Sequence, residues 1–169
     1  QGGMRGLSAG RGRWHQRHFG GNISPEKFLG AGGGMQAIQI ALQMTVAAGD
    51  EVIIPTPAWP NYAAPMRLMG AKPVEVPMTF ANGKWALDLD QLFAATNAKT
   101  KAICINSPSN PLVWVASISD LLAIPAHALK HGIWIIAPEV YTSFFFLVIC
   151  NRAPPLLDFF ASHAHSLHS

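Results

Sequence analysis

The chain has 169 residues, half of them apolar and 12% charged, with a formal charge of +3. That composition suits one domain with a sizeable core, and argues against a disordered or disulfide-dense chain. The longest uninterrupted apolar run, Phe144 to Cys150, is far short of the ~20 residues a membrane-spanning helix needs.

Arg5, Arg11, Arg13 and Arg17 all precede the first acidic residue, Glu26. The run is short and has only Trp14 interleaved, so it reads as the solvated face of a helix rather than a nucleic-acid arm. Cys104 and Cys150 form no CxxC pair, and no charged-then-apolar leader opens the chain. A reducing compartment, the cytoplasm, is expected.

In chain order, the glycine-rich stretch Gly30 to Met35 leads into a helix expected over Met35 to Ala47. Its Met35, Ile38, Leu42 and Val46 recur at three-to-four spacing, and Gly49 ends it. A strand follows at 51–55, a helix at 59–69, a strand at 72–77, a helix at 88–95 and a strand at 101–106. Ser117 to His131 then forms a helix, with Ser117 and Asp120 as a capping box and Lys130, His131 and Gly132 as its close. Pro125 removes a hydrogen bond inside that helix and should kink it, at roughly 3 kcal/mol. A strand is expected at 132–137, and Tyr141 to Cys150 reads as a buried strand or an aggregation-prone run. The strands are nearly continuous in apolar residues, as strands buried on both faces are. Their alternation with helices predicts an α/β fold with a mainly parallel sheet between helix layers. The expected organisation is a basic segment at 1–13, the folded unit at 14–143, and an apolar run with an irregular tail at 144–169.

Sites in open α/β sheets lie beyond the carboxyl ends of the strands. A glycine turn entering a helix brings backbone N–H groups and the helix dipole to bear on a phosphate. Gly30 and Gly32 fit the start of a dinucleotide fingerprint, but Met35 stands where its last glycine belongs. Pro55-Thr56-Pro57 also offers no ribose-binding acid. A G-x-G-x-G pattern at Gly30, Gly32 and Gly34 keeps a nucleotide- or S-adenosylmethionine-binding Rossmann-like domain open as an alternative. His15 and His18, and the tail residues His163, His165 and His168, lack a converging set of ligands, so no metal site is expected.

Two strand ends carry a resemblance. Asn106-Ser107-Pro108-Ser109-Asn110-Pro111 is similar to the N-x-P-x-N-P-T-G segment of class I/II aminotransferases, the aspartate aminotransferase-like enzymes that use pyridoxal 5′-phosphate. Pro138-Glu139-Val140-Tyr141 is similar to their D-E-V-Y segment. Pro55-Thr56-Pro57-Ala58-Trp59-Pro60-Asn61-Tyr62 resembles their P-x-[YW]-x-x-Y segment as well. The resemblance spans about Trp14 to Tyr141, with Arg152 to Asp158 as a faint continuation. It implies a partial large domain of the fold type I architecture, a three-layer sandwich. It further implies cofactor binding by the backbone of Gly34 and Met35 at the phosphate, by Trp59 stacking on the ring, and by Asn110 and Tyr141 at the phenolic oxygen. Transfer of an amino group from an amino acid to a 2-oxo acid, in a homodimer, is implied for the full-length protein.

The departures matter equally. Leu112-Val113 replaces Thr-Gly, which is unfavourable if that position needs positive φ. Pro138 replaces the Asp that keeps the ring nitrogen protonated, and Glu139 should point to the opposite face of its strand. The family lysine lies in a later S-[FL]-S-K segment, whereas the last lysine here is Lys130. No catalytic residue is therefore expected in this chain. It starts with Gln1, and reads as a fragment inactive alone or as a non-catalytic remnant of the fold.

Overall fold

The computed structural model describes residues 6, 9, 10, 12, 13, 16, 17, 24, 30–139 and 146–150, with 139 and 146–150 as backbone alone. Helix α1 (Gly34–Thr45) leads through a short turn into strand β1 (Glu51–Thr56), followed by helix α2 (Ala63–Leu68) and strand β2 (Lys72–Pro77). A hairpin of β3 (Thr79–Ala81) and β4 (Lys84–Ala86) precedes helix α3 (Leu89–Ala94). Strand β5 (Thr100–Cys104), helix α4 (Ile118–His131), strand β6 (Trp134–Glu139) and strand β7 (Phe146–Cys150) complete the described chain.

Five strands form one sheet in the order β2-β1-β5-β6-β7. The pairs β1–β2, β1–β5 and β5–β6 are parallel, and only β7 runs antiparallel, on β6. The expected α/β class with a mainly parallel sheet is what the fold shows, and the strand reading of 141–150 holds over Phe146–Cys150. Side chains alternate across the sheet with the two-residue period of a strand. Ile53, Ile103 and Ile135 pack on one face with Leu92 of α3 and Leu121, Ile124 and Ala128 of α4. Val52, Ile54, Ala102, Cys104 and Ile136 pack on the other with Ile38, Ala41 and Leu42 of α1, Tyr62 at the start of α2 and Met66 within it. Burial on both faces is why the strands lack polar alternation.

Local chemistry sets the helix ends. Asp88 caps α3 by accepting from the N–H groups of Asp90 (2.9 Å) and Gln91 (3.1 Å). The capping box of α4 is present. The Ser117 hydroxyl accepts from the Asp120 N–H at 3.1 Å, and the Asp120 carboxylate accepts from the Ser117 N–H at 3.0 Å. Gly132 ends α4 in the left-handed region, φ 66°. Helix α4 runs unbroken past Pro125, whose ring is buried. Helix α2 begins four residues later than expected because Trp59 to Tyr62 form a turn, closed by the Tyr62 N–H on the Trp59 carbonyl at 3.0 Å.

Candidate functional site at the carboxyl edge of the sheet

Strand β1 connects outward to β2 on one side, while β5 lies on its other side and connects onward to β6. The helices change faces at the same place: α2 covers one face after β1, and α3 and α4 cover the other around β5. Such a switch point leaves a crevice beyond the carboxyl ends of the two strands, because their connections leave in opposite directions. A cavity opens there. Pro55, Pro57 and Ala58 line it from the β1 end, and Asn106, Ser109 and Asn110 line it from the β5 end. Tyr62, Cys104 and Trp114 border it too.

The loop after β5 is shaped by its own hydroxyls. The buried Ser107 Oγ accepts from the Ala116 N–H at 2.9 Å, and the buried Ser109 Oγ accepts from the Trp114 N–H at 3.0 Å. Two backbone bonds add to these: Ser109 N–H to the Trp114 carbonyl at 2.8 Å, and Val113 N–H to the Ser109 carbonyl at 2.9 Å. Ser-Pro-Ser therefore folds a segment with little secondary structure back on itself. Short hydroxylated side chains can stand in for a ladder in this way.

Asn106 ties this loop to its surroundings. With its carboxamide oriented so that each atom meets a complementary group, it donates to the Pro138 carbonyl at 2.7 Å and the Pro108 carbonyl at 3.1 Å. It accepts from the Tyr62 hydroxyl at 3.1 Å and the Asn110 N–H at 3.0 Å. Tyr62 in turn meets Trp59 edge to face, with ring centroids 5.7 Å apart and planes at 87°. Trp59 and Asn110, 51 residues apart by their numbers, are thus linked through two side chains on one edge of the sheet. Trp59 is half-buried and is not itself part of the cavity lining, although Ala58 and Tyr62 are. Asn110 is half-exposed, and its own carboxamide makes no hydrogen bond with the described residues.

Gly34 and Met35 open α1 at its exposed start. The first helical bond runs from the Ala37 N–H to the Gly33 carbonyl at 3.0 Å, and no side chain caps the end. The N–H groups of Gly34, Met35 and Gln36 therefore precede the helical ladder. The turn after Thr45 reverses the chain, so α1 runs antiparallel to β1. Twelve helical residues rise about 18 Å, close to the roughly 20 Å of a six-residue strand. The start of α1 is accordingly near the carboxyl edge, on the Tyr62 face, but neither Gly34 nor Met35 lines the cavity. Tyr141 lies outside the described residues, as do His15, His18, His163, His165 and His168.

Two further groups limit the chemistry. Burial pushes the Cys104 thiol up to about 12, so it borders the cavity as an inert neutral group. Pro138 is buried in β6 opposite Leu147 and offers only its carbonyl. No lysine among the described residues lines the cavity. Lys72, Lys99 and Lys101 begin β2 and β5, and Lys130 ends α4, all at the opposite edge of the sheet. Sequence reasoning passed over Tyr62, Asn106, Ser107 and Ser109 as working residues. For Asn106, Ser107 and Ser109 the signal was a run of polar residues just beyond a buried strand, interrupted by a proline that cannot donate.

Residues 11–163 match the family model described as aminotransferase class I and II. The chain is 41% identical over 114 residues to an aspartate aminotransferase of Pyrococcus abyssi, covering 68% of this chain and 29% of that protein. It is 39% identical over 124 residues to a probable aspartate aminotransferase of Streptomyces griseus, covering 73% of this chain and 58% of the relative. Among solved structures, a tetra mutant of Thermus thermophilus aspartate aminotransferase superposes with a TM-score of 0.78 at 30% identity. That match covers 83% of this chain and 38% of the other. The chain thus spans between about a third and three fifths of the length of these relatives.

Proposed function

The chain belongs to the class I and II aminotransferases, and from that membership we propose that it forms part of the cofactor-binding large domain of a protein that moves an amino group from an amino acid to a 2-oxo acid. The cofactor in this reading is pyridoxal 5′-phosphate, which when bound supplies an electron sink for charge developing at the substrate α-carbon. The observation that carries the reading is Asn110. Its backbone is pinned inward by Asn106, while its half-exposed carboxamide, without a hydrogen bond among the described residues, sits at a cavity on the switch point of the sheet. That is a donor held ready for an oxygen of a ligand.

The other residues fit binding unequally. The uncapped N–H groups of Gly34 and Met35 suit a phosphate at a helix start. Trp59 supplies an aromatic face near the same edge, its orientation limited by Tyr62. For Tyr141, outside the described residues, the family reading implies a second donor to the same oxygen. Chemistry is where the fit fails, since Pro138 has no acid to hold a ring nitrogen protonated and no lysine among the described residues lines the cavity. This chain by itself therefore orients a ligand without being able to tether it or shuttle its proton. The same two facts favour a second reading, a non-catalytic remnant of the fold. Amino acid and 2-oxo acid substrates, a homodimer and a cytoplasmic location are proposed for the whole protein. No helix among the described residues is long and apolar enough to cross a membrane.

The test is to mix the chain with pyridoxal 5′-phosphate and follow absorbance, then reduce with borohydride and map any modified lysine. Weak reversible binding, no single lysine trapped, and amino-group exchange no faster than with free cofactor are expected. Stoichiometric trapping at one lysine, or faster exchange, would overturn the inactivity. Absence of any binding would overturn the cofactor reading itself.

A further inference from the structure

We propose that Asn106 is the positioning residue of this site, setting the Asn110 loop and the Tyr62 hydroxyl against the backbone of β6. The inference rests on the cofactor reading of Asn110 given above, and adds a residue to which no role toward the ligand has been assigned. Asn106 follows the last residue pair of the β5 ladder, where Ile105 N–H still reaches the Ile136 carbonyl at 2.9 Å. From that point its side chain replaces the ladder. One arm donates twice, to the Pro138 and Pro108 carbonyls, and the other accepts twice, from Tyr62 and from Asn110.

This demand is specific. Four partners at 2.7–3.1 Å use every donor and both lone-pair directions of a carboxamide. A carboxylate of the same shape would set negative charge against two carbonyl oxygens. A glutamine would need room for one more methylene, and an alanine would leave four polar groups to find other partners. Pro138 has no N–H to give to the ladder, so the Asn106 donor on its carbonyl adds a side-chain tie at this end of β6. Asn106 thus couples three segments distant in sequence: the turn before α2, the loop after β5 and the end of β6. Displacing it would move the Asn110 carboxamide relative to the turn that carries Trp59.

Amide hydrogen exchange in the full chain, with Asn106→Ala and Asn106→Asp, tests this without relying on activity. In the parent chain the Asn110 N–H should be protected. In Asn106→Ala its protection should fall about tenfold, while the amides of Ile53 and Ile103 keep theirs. Affinity for pyridoxal 5′-phosphate should fall by a similar factor, and affinity for inorganic phosphate should not change. Should the alanine variant fail to fold, Asn106→Asp decides. Its half-buried carboxyl regains one donor on protonation, so Asn110 protection, corrected for intrinsic exchange, should recover as pH falls through the titration of that carboxyl, followed from about pH 7.5 to about pH 3.5. An Asn110 N–H unprotected in the parent chain, or equally protected in Asn106→Ala, or a pH-independent value in Asn106→Asp, would overturn the assignment. If the parent binds no cofactor, the functional reading falls, and the exchange data still decide whether Asn106 sets the loop.

Discussion

At the scale of single residues, the loop after β5 shows what the departures from the family pattern do to this chain. Val113 occupies the left-handed region at φ 55°, and it is exposed. A β-branched residue there crowds its own backbone, at about 1–2 kcal/mol, whereas glycine adopts the conformation freely. Glycine also loses more entropy on folding, which returns part of the gain. Val113→Gly should therefore raise stability by about 0.5–1 kcal/mol, read as a higher urea midpoint; a lower midpoint would refute the strain. Ser109→Ala should act in the opposite direction. It strands the Trp114 N–H in a buried loop and should cost about 1–3 kcal/mol in the same assay. The need for positive φ was legible from the sequence, because a glycine was missing from a recognisable turn. The hydroxyl clasps were not, since nothing local says which N–H a serine will meet.

At the scale of elements, apolar periodicity and end signals carried the reading. Asp88, Ser117 and Gly132 act within their own neighbourhoods, so the ends they set were readable. The β3–β4 hairpin was missed although its signal was present. Asn82 and Gly83 both have positive φ, 53° and 73°, as a two-residue turn of the primed type requires, and Phe80 faces Trp85 across it. Contacts between helices were less readable. His127 of α4 lies flat on Phe93 of α3, with centroids 4.2 Å apart and planes at 11°, and its Nε2 meets the Thr96 hydroxyl at 2.9 Å. His131 follows one turn later, 4.4 Å away. Burial first, and then the charges of His131 and Lys130, hold His127 below its ordinary value of 6.5. The folded chain thus binds fewer protons than the unfolded chain, so stability is highest above about 6.5 and declines as pH falls toward the lower folded value. Urea midpoints measured from about pH 8 to about pH 5 should show this slope, and His127→Gln should flatten it. An unchanged slope in the variant would assign the acid sensitivity elsewhere.

At the scale of the whole molecule, the two edges of the sheet divide the work. The parallel sheet was readable because buried strands announce themselves as short apolar runs, and their carboxyl ends then indicated where a site should lie. The Asn106 junction was not readable, since it joins Tyr62, Asn110 and Pro138, whose proximity exists only after folding. The amino edge holds a polar cluster instead. Glu51 accepts from the Asn97 side-chain amide at 2.7 Å and from Lys72 at 3.2 Å. The Asn97 hydrogen bond, then that of Lys72, holds the Glu51 carboxyl below its ordinary 4.5. A lowered carboxyl stabilises the fold above its unfolded value, and the contribution is lost as pH falls through the lower folded value. Glu51→Gln should consequently reduce the urea midpoint at neutral pH, and the difference from the parent should shrink below about pH 4.5, where the parent also becomes uncharged. Because Glu51 sits at the edge away from the cavity, the same substitution should leave cofactor affinity unaltered. Asn110→Ala should do the reverse, weakening the cofactor while shifting stability by no more than about 0.5 kcal/mol, as expected of a side chain without intramolecular bonds. The two variants measured together separate folding from binding. A loss of cofactor affinity in Glu51→Gln, or a constant stability difference from neutral pH to acid, would show that the two edges are not independent.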